Sequence, residues 1–323
     1  MHETFHVELS LNELFNAPSI AQLSEYILEA HYSDKESPTI LPAIIPDIES
    51  RYQPFPLNDI QQAYWLGRSQ AITMGNLAPH FYLEIDCQLF DIKRLELAWQ
   101  LLTERHEMLR AIVLPSGQQK ILNHTPYYEF RHLDLSSYDK KEKQRELDRI
   151  RSEISGHLLD PSEWPLFDIR VTQLNEKSIR LHFALDLLVA DGWSSFVLSH
   201  EWWLLYQNPE LKLEPLTLSF RDYILAEQTF RQEVGNIAHQ EAQEYWHNRL
   251  STLPPAPQLP LARLPEAIEK PSFNARSFKF NIKQWQLLKD KAVKAQVTPS
   301  TLLLTIYADI LTMWSKSAQF TLN

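Results

Sequence analysis

The chain has 323 residues, of which 44% are hydrophobic and 11% aromatic, enough for a sizeable core and for about two domains. A formal charge of -10 excludes the basic face that a nucleic-acid partner needs, and Cys87, the only cysteine, excludes an intrachain disulfide and fits a reducing cytoplasm. The greasiest run, Thr301 to Trp314, is broken by Asp309 and is shorter than the ~20 residues of a membrane span, and the start has no secretory pattern, so a soluble cytoplasmic protein is expected.

Residues 1–31 carry two short helical patterns, each opened by a capping box, Ser10 with Glu13 and Ser19 with Gln22. So small a pair cannot build a core alone. Residues 32–51, polar and rich in proline, read as a linker. From there the pattern predicts a helix over Asp59 to Arg68, a strand over Phe81 to Phe90, and a helix over Ile92 to Leu109. A hairpin is expected around Pro115-Ser116-Gly117, a strand over Tyr127 to Leu133, and a charged helix over Tyr138 to Leu158 with sparse apolar contacts. A second hairpin joins Leu166 to Leu174 with Ser178 to Ala190, and helices follow at Trp193 to Tyr206, Phe220 to Phe230 and Gln240 to Leu250.

The prolines of LPPAPQLPLARLP, at 254, 255, 257, 260 and 265, forbid helix and interior strand, so this stretch reads as a rigid crossing segment. Arg276 to Ile282 is then expected as a strand and Ile282 to Ala295 as a helix, and Thr298 caps a last helix with Pro299 at its first position. The closing FTLN has the look of a strand just begun, as if the polypeptide were cut inside a domain.

The stretch LHFALDLLVADGWSS, Leu181 to Ser195, organises the rest. Ile179, Leu181, Phe183, Leu185, Leu187 and Val189 alternate with Arg180, His182 and Asp186, the pattern of a strand with one face in a core. Asp191, Gly192 and Ser194 stand at its exit, where working groups often lie. A buried Asp186 needs a partner, and Arg68, Arg105 and Arg110 are the candidates. Asp186 and Asp191 are therefore read both as a structural clamp and as catalytic groups. Ser194 is read as a helix cap or a substrate contact, His182 as a hydrogen-bonded strand residue or a site residue, and Tyr64 and Trp65 as core rather than a substrate platform. His239 and His247, with Glu241 and Glu244 between them, read as a solvated face, and no metal site is expected.

Five separated signatures resemble the heterocyclisation domain of nonribosomal peptide synthetases, a relative of the condensation domains. They are FPLNDIQQAYWLGR from Phe55, RHEMLR from Arg105, the Asp186, Asp191 and Ser194 spacing, LPPAPQLPL from Leu253, and TPS with ILTMW ending at Trp314. Where ordinary condensation domains carry HHxxxDG, this chain has Asp186 and Leu187 in the histidine places and keeps Asp191 and Gly192. The segment VELSLNELFNAPSIAQLSEYI is similar to the C-terminal end of a carrier domain, without the serine that bears phosphopantetheine.

The resemblance implies an α/β (α+β) fold: a chloramphenicol acetyltransferase-like lobe of mixed sheet and flanking helices over 52–252, and the start of a second such lobe over 253–323. It implies coupling of a carrier-bound acyl group to carrier-bound Cys, Ser or Thr, then ring closure with loss of water to a thiazoline or oxazoline, in siderophore or antibiotic biosynthesis. The implied site is Asp186 and Asp191, supported by Ser194, His182, Arg68 and Arg105, with a Thr and an Asp of the second lobe expected beyond this chain, which alone would be inactive. No cofactor would be bound directly. The partners would be upstream and downstream carrier domains with their phosphopantetheine arms and an adenylation domain. The alternatives are an amide-forming condensation domain and a noncatalytic recruitment domain of the same fold.

Overall fold

A computed structural model of the chain describes residues 44–69, 75, 77–88, 90–156, 158–232, 237–268 and 276–322, together with Ser24. The chain divides into two units, residues 1–43 and 44–323. Apart from Ser24, which is helical, the expected carrier-like helix pair and the first part of the linker lie outside the described residues.

In the second unit, α1 (Asp59–Leu66) starts where the Asn58 side chain accepts from Gln61 N–H at 2.8 Å and Gln61 Oε1 accepts from Asn58 N–H at 3.0 Å, a complete capping box. The strand β1 (Phe55–Pro56) precedes it, and β3 (Ala111–Val113) and β4 (Gln118–Ile121) complete a three-stranded sheet in the order β1-β4-β3. Their turn needs Gly117, whose φ of 78° suits a residue without Cβ and whose added Cβ would meet the Trp65 ring at 3.4 Å.

A second, mixed sheet has the order β2-β7-β6-β5, from β2 (His80–Gln88), β7 (Ser178–Asp186), β6 (Phe167–Asn175) and β5 (Arg131–Asp134), with only the β5–β6 pair parallel. On one face lie α2 (Ile92–Arg105) and α4 (Gly192–Gln207), and the core between them centres on Trp99. That ring is fully buried, 4.8 Å from Trp202 and 5.1 Å and 5.4 Å from Phe167 and Phe183. Truncating such a residue to Ala costs about 3–5 kcal/mol.

The other face is covered by α3 (Lys140–Ser155), the helix expected to have few apolar contacts. Its Leu147, Ile150 and Ile154 are buried, the last two with Ala184. The expectation that β7 has one face in a core holds for Leu181, Phe183 and Leu185, and α3 covers the opposite face as well. Both faces are covered, and His182 and Asp186 are at most 1% exposed, while Arg180 stays partly exposed. The polar residues of the covered face are accommodated by pairing. Arg151 donates to Glu84 at 2.8 Å, Arg180 to Asp86 at 2.7 Å and Glu84 at 3.1 Å, and Arg170 to Asp168 at 2.8 Å and Glu153 at 2.9 Å.

Three strand expectations are corrected. The strand β7 stops at Asp186 and not Ala190, because Val189 N–H turns back onto Asp186 O at 3.1 Å. Tyr127 to Phe130 stay out of the ladder, since the Tyr128 and Phe130 rings turn into the core. Residues 276–281 alternate in sequence but are irregular, with Phe278 75% exposed and no strand partner among the described residues.

The remaining elements are α5 (Phe220–Gln232), α6 (Ile237–Leu250), α7 (Ile282–Lys294) and α8 (Pro299–Trp314). The helix α8 is capped by Thr298 as expected, and its Leu304, Ile310, Met313 and Trp314 are half or more exposed. The proline-rich stretch runs without regular structure to Leu264 and then makes one 3-10 turn at Pro265–Ala267. Three carbonyls of this stretch receive the residues after α8: Lys316 N–H donates to Gln258 O at 3.2 Å, Thr321 N–H to Pro255 O at 2.9 Å and the Thr321 hydroxyl to Pro254 O at 2.7 Å, with residues 320–322 irregular and not a strand.

Candidate functional site

A cleft of about 640 Å³ opens at the exit of β7. Its walls are the loop and helix start from Leu187 to Ser194, the α1 residues Ile60, Gln61 and Tyr64, the turn His106 to Leu109, and Leu216 to Phe220. Most of this lining is apolar, so a ligand inside is shielded from water and meets few, fixed polar groups.

The loop between β7 and α4 is held from behind by α1 and by Arg68, two residues past its end. Arg68 forms a buried ion pair with Asp186 through Nη2, and its Nη1 donates to Leu159 O at 2.9 Å. Asp186 Oδ1 also accepts from Leu188 N–H at 2.9 Å, and Asp186 N–H donates to Leu166 O at 3.0 Å. Gln61 grips the same loop two residues on, donating to Leu188 O at 2.7 Å while bonding the buried Gln119. The aromatic-rich signature at Phe55 to Arg68 is thus the clamp of the β7–α4 loop.

The two aspartates stand in different environments. Asp186 lies behind the loop, beside His80, Ile154, Leu159 and Asp168, and does not line the cleft. Leu187 does. Asp191 is exposed at the cleft and caps α4, accepting from Ser194 N–H at 2.8 Å and from the Ser194 hydroxyl at 2.6 Å. Those bonds hold its carboxyl below the usual carboxylate range. Ser194 lines the cleft as well.

His182 is remote from the cleft, on the α3 side of the sheet. Its Nδ1 pairs with the Tyr82 hydroxyl at 2.9 Å and its Nε2 with the Thr172 hydroxyl at 3.2 Å. Burial lowers its pKa from the ordinary 6.5 to about 4, so the ring is neutral at physiological pH. The same packing raises the Tyr82 phenol, mainly by burial and then by its hydrogen bond to Glu84.

Of the three arginines offered as partners of Asp186, only Arg68 reaches it. Arg105 pairs with Glu201 at 2.9 Å and donates to Glu214 O at 2.6 Å, and Arg110 is spent on the carbonyls of Thr103, Glu104, Leu122 and Asn123. Sequence reasoning missed Gln61, His106 and Glu201. A lone carboxylate inside the apolar run of α4 was the available signal for Glu201.

Among the described residues no cluster of three or more His, Cys, Asp or Glu is placed to hold a metal, and no helix is long and apolar enough to cross a membrane. His239, Glu241, Glu244 and His247 are all exposed on α6.

Three comparisons bear on this geometry. Bacitracin synthase 1 of Bacillus licheniformis is 35% identical over 321 residues, covering 99% of this chain and 6% of that protein. Pyochelin synthetase PchE of Pseudomonas aeruginosa is 34% identical over 279 residues, covering 86% of this chain and 19% of that protein. Among solved structures, the EpoB NRPS cyclization-docking bidomain from Sorangium cellulosum superposes with a TM-score of 0.78 at 30% identity, over 97% of this chain and 61% of that one. The lobe of mixed sheet and flanking helices is therefore the fold of these cyclisation and condensation domains, and the chain spans a small part of the curated relatives it matches. The condensation-domain model matches residues 53–323, and the chain belongs to that family.

Proposed function

We propose that this chain is part of a heterocyclisation domain of a nonribosomal peptide synthetase, working in the cytoplasm. Carrier-bound acyl thioester and carrier-bound Cys, Ser or Thr meet in the cleft. The amine attacks the thioester carbonyl and the carrier thiolate leaves, giving an amide. The side-chain thiol or hydroxyl then adds to that amide carbonyl, and water is expelled to leave a thiazoline or oxazoline. The partners on this reading are the two carrier domains with their phosphopantetheine arms and an adenylation domain that loads the acceptor.

One observation carries the proposal: where the resemblance places the imidazole of amide-forming condensation domains, the cleft is lined by Leu187, and its neighbour Asp186 is locked to Arg68 behind the loop. No histidine base is available at that point. The titratable group of the loop that does face the cleft is Asp191, ionised at neutral pH and so able to accept a proton or a hydrogen bond from an adding group. Asp186 acts through the loop that it holds and is a positioning residue. Ser194 orients Asp191, Arg68 supports Asp186, and Arg105 fixes Glu201, the partner of the cleft-lining His106.

The test uses the complete gene product with a loaded donor carrier and a cysteinyl acceptor, read by mass spectrometry. Condensed product lacking one water is expected. Condensed product that retains the water favours an amide-forming condensation domain, and no condensation favours a noncatalytic recruitment domain.

A further inference from the structure

The turn after α2 brings a second polar constellation to the cleft, outside the β7–α4 loop. His106 lines the cleft, and its Nε2 lies 2.7 Å from Glu201 Oε2. Glu201 is gripped by Arg105 through Nε at 2.9 Å and Nη2 at 3.3 Å, while Arg105 Nη1 is anchored on Glu214 O at 2.6 Å. Burial pushes the Glu201 carboxyl up, but the bonds from Arg105 and His106 outweigh it and hold it below its ordinary value. The carboxylate is therefore ionised and can only accept. An imidazole that donates to it from Nε2 keeps Nδ1, in its neutral form, as an acceptor, and Nδ1 has no partner among the described residues. His106 N–H donates to Leu102 O at 2.7 Å, and His106 O accepts from Leu109 N–H at 3.0 Å, so the ring is carried on a fixed backbone.

Position separates this acceptor from the reacting end. Glu201 follows Asp191 by ten residues of α4, roughly 15 Å of helix at 1.5 Å per residue. A group that bonds His106 while the reacting carbonyl lies near Asp191 belongs to the tether of the substrate and not to its reacting atoms. The tether of a carrier-bound substrate is a pantetheine arm, whose polar groups include amide N–H and hydroxyl donors. We propose that His106 is a positioning residue for that arm, its Nδ1 accepting one such hydrogen bond, with Glu201 and Arg105 setting the tautomer. This inference rests on the proposed use of carrier-tethered substrates.

The experiment titrates the complete gene product, its own carriers unprimed, with pantetheine, using calorimetry for affinity and the imidazole nitrogen resonances of 15N-histidine-labelled protein for contact. Pantetheine is expected to shift the His106 signal. His106→Ala should bind it about 3- to 10-fold more weakly at unchanged Tm, and His106→Gln, which keeps a donor for Glu201 and an acceptor for the arm, should restore most of the affinity. A wild-type protein that binds pantetheine with the His106 signal unmoved overturns this inference alone. So does a folded His106→Ala variant with wild-type affinity, or Ala and Gln variants equally weakened together with a lowered Tm. Should His106→Ala not fold, the wild-type resonance and the Gln variant still decide. A wild-type protein that takes up no pantetheine overturns the tethered-substrate reading along with this one.

Discussion

The two sides of β7 divide polarity in a way opposite to the usual surface and core. The α3 side holds Arg180, His182 and Asp186, yet the last two are buried and Arg180 is only partly exposed, and each of these groups is spent on a neighbour. Past the end of the strand, the cleft is lined mostly by apolar side chains and carries only a few open polar groups, among them Asp191 and His106. Polar side chains near a catalytic loop thus fall into two sets: those that hold it are buried and paired, and those free to meet a ligand are few.

The sharpest way to break this contrast is Asp186→Ala, which strands the Arg68 guanidinium in a buried site. It should destabilise the protein by about 3–5 kcal/mol in a denaturant titration. A loss below 1 kcal/mol would mean that the pair does not hold the loop. Gln61→Leu removes the donor to Leu188 O and the partner of Gln119, and should cost about 1–3 kcal/mol by the same measurement. Asp191→Ala, on the open side, removes only a helix cap and should cost about 1 kcal/mol, while it lowers ring formation far more than its effect on stability accounts for.

Two proton effects vanish at neutral pH and sharpen the comparison further. His182 has a depressed value near 4 when folded and an ordinary value of 6.5 when not, so between these the unfolded state binds more protons. Stability should therefore be level above pH 6.5 and fall as pH drops toward 4, and His182→Gln should flatten that slope. For Asp191 the folded value is also depressed, so its stabilisation is complete above the unfolded carboxylate value of about 4 and is lost as pH falls through the folded one. Asp191→Asn should remove that acidic loss.

Much of this was legible before any coordinates. The alternation of Ile179 to Asp186 showed which residues share a side, and desolvation demanded a hydrogen-bonding or charged partner for Asp186, with Arg68 among three candidates. What alternation cannot tell is which side carries the cleft, because a strand has two. The cover by α3 was hidden because Leu147, Ile150 and Ile154 are spread through a run dense in Lys, Arg and Glu, a pattern that reads as solvated. The strand expected at Arg276 to Ile282 failed for another reason: a period of two marks faces but supplies no hydrogen-bonding neighbour. The candidate site was half readable. Asp191 and Ser194 sit where a helix start was expected, whereas Gln61, His106 and Glu201 owe their places to contacts between residues far apart in sequence, which no local pattern records.

The crossing segment from Leu253 to Pro265 has a chemical asymmetry with a wider effect. Prolines 254, 255, 257 and 260 offer carbonyls without matching amides, and residues 315–321 bond the segment mostly through its carbonyls, Lys316 to Gln258 and Thr321 to Pro255 and Pro254, with Gln258 N–H alone donating back, to the Ser315 hydroxyl. The residues after α8 are thus tied to the crossing segment, whose prolines leave it few amides to offer a further chain beside the exposed apolar surface of α8.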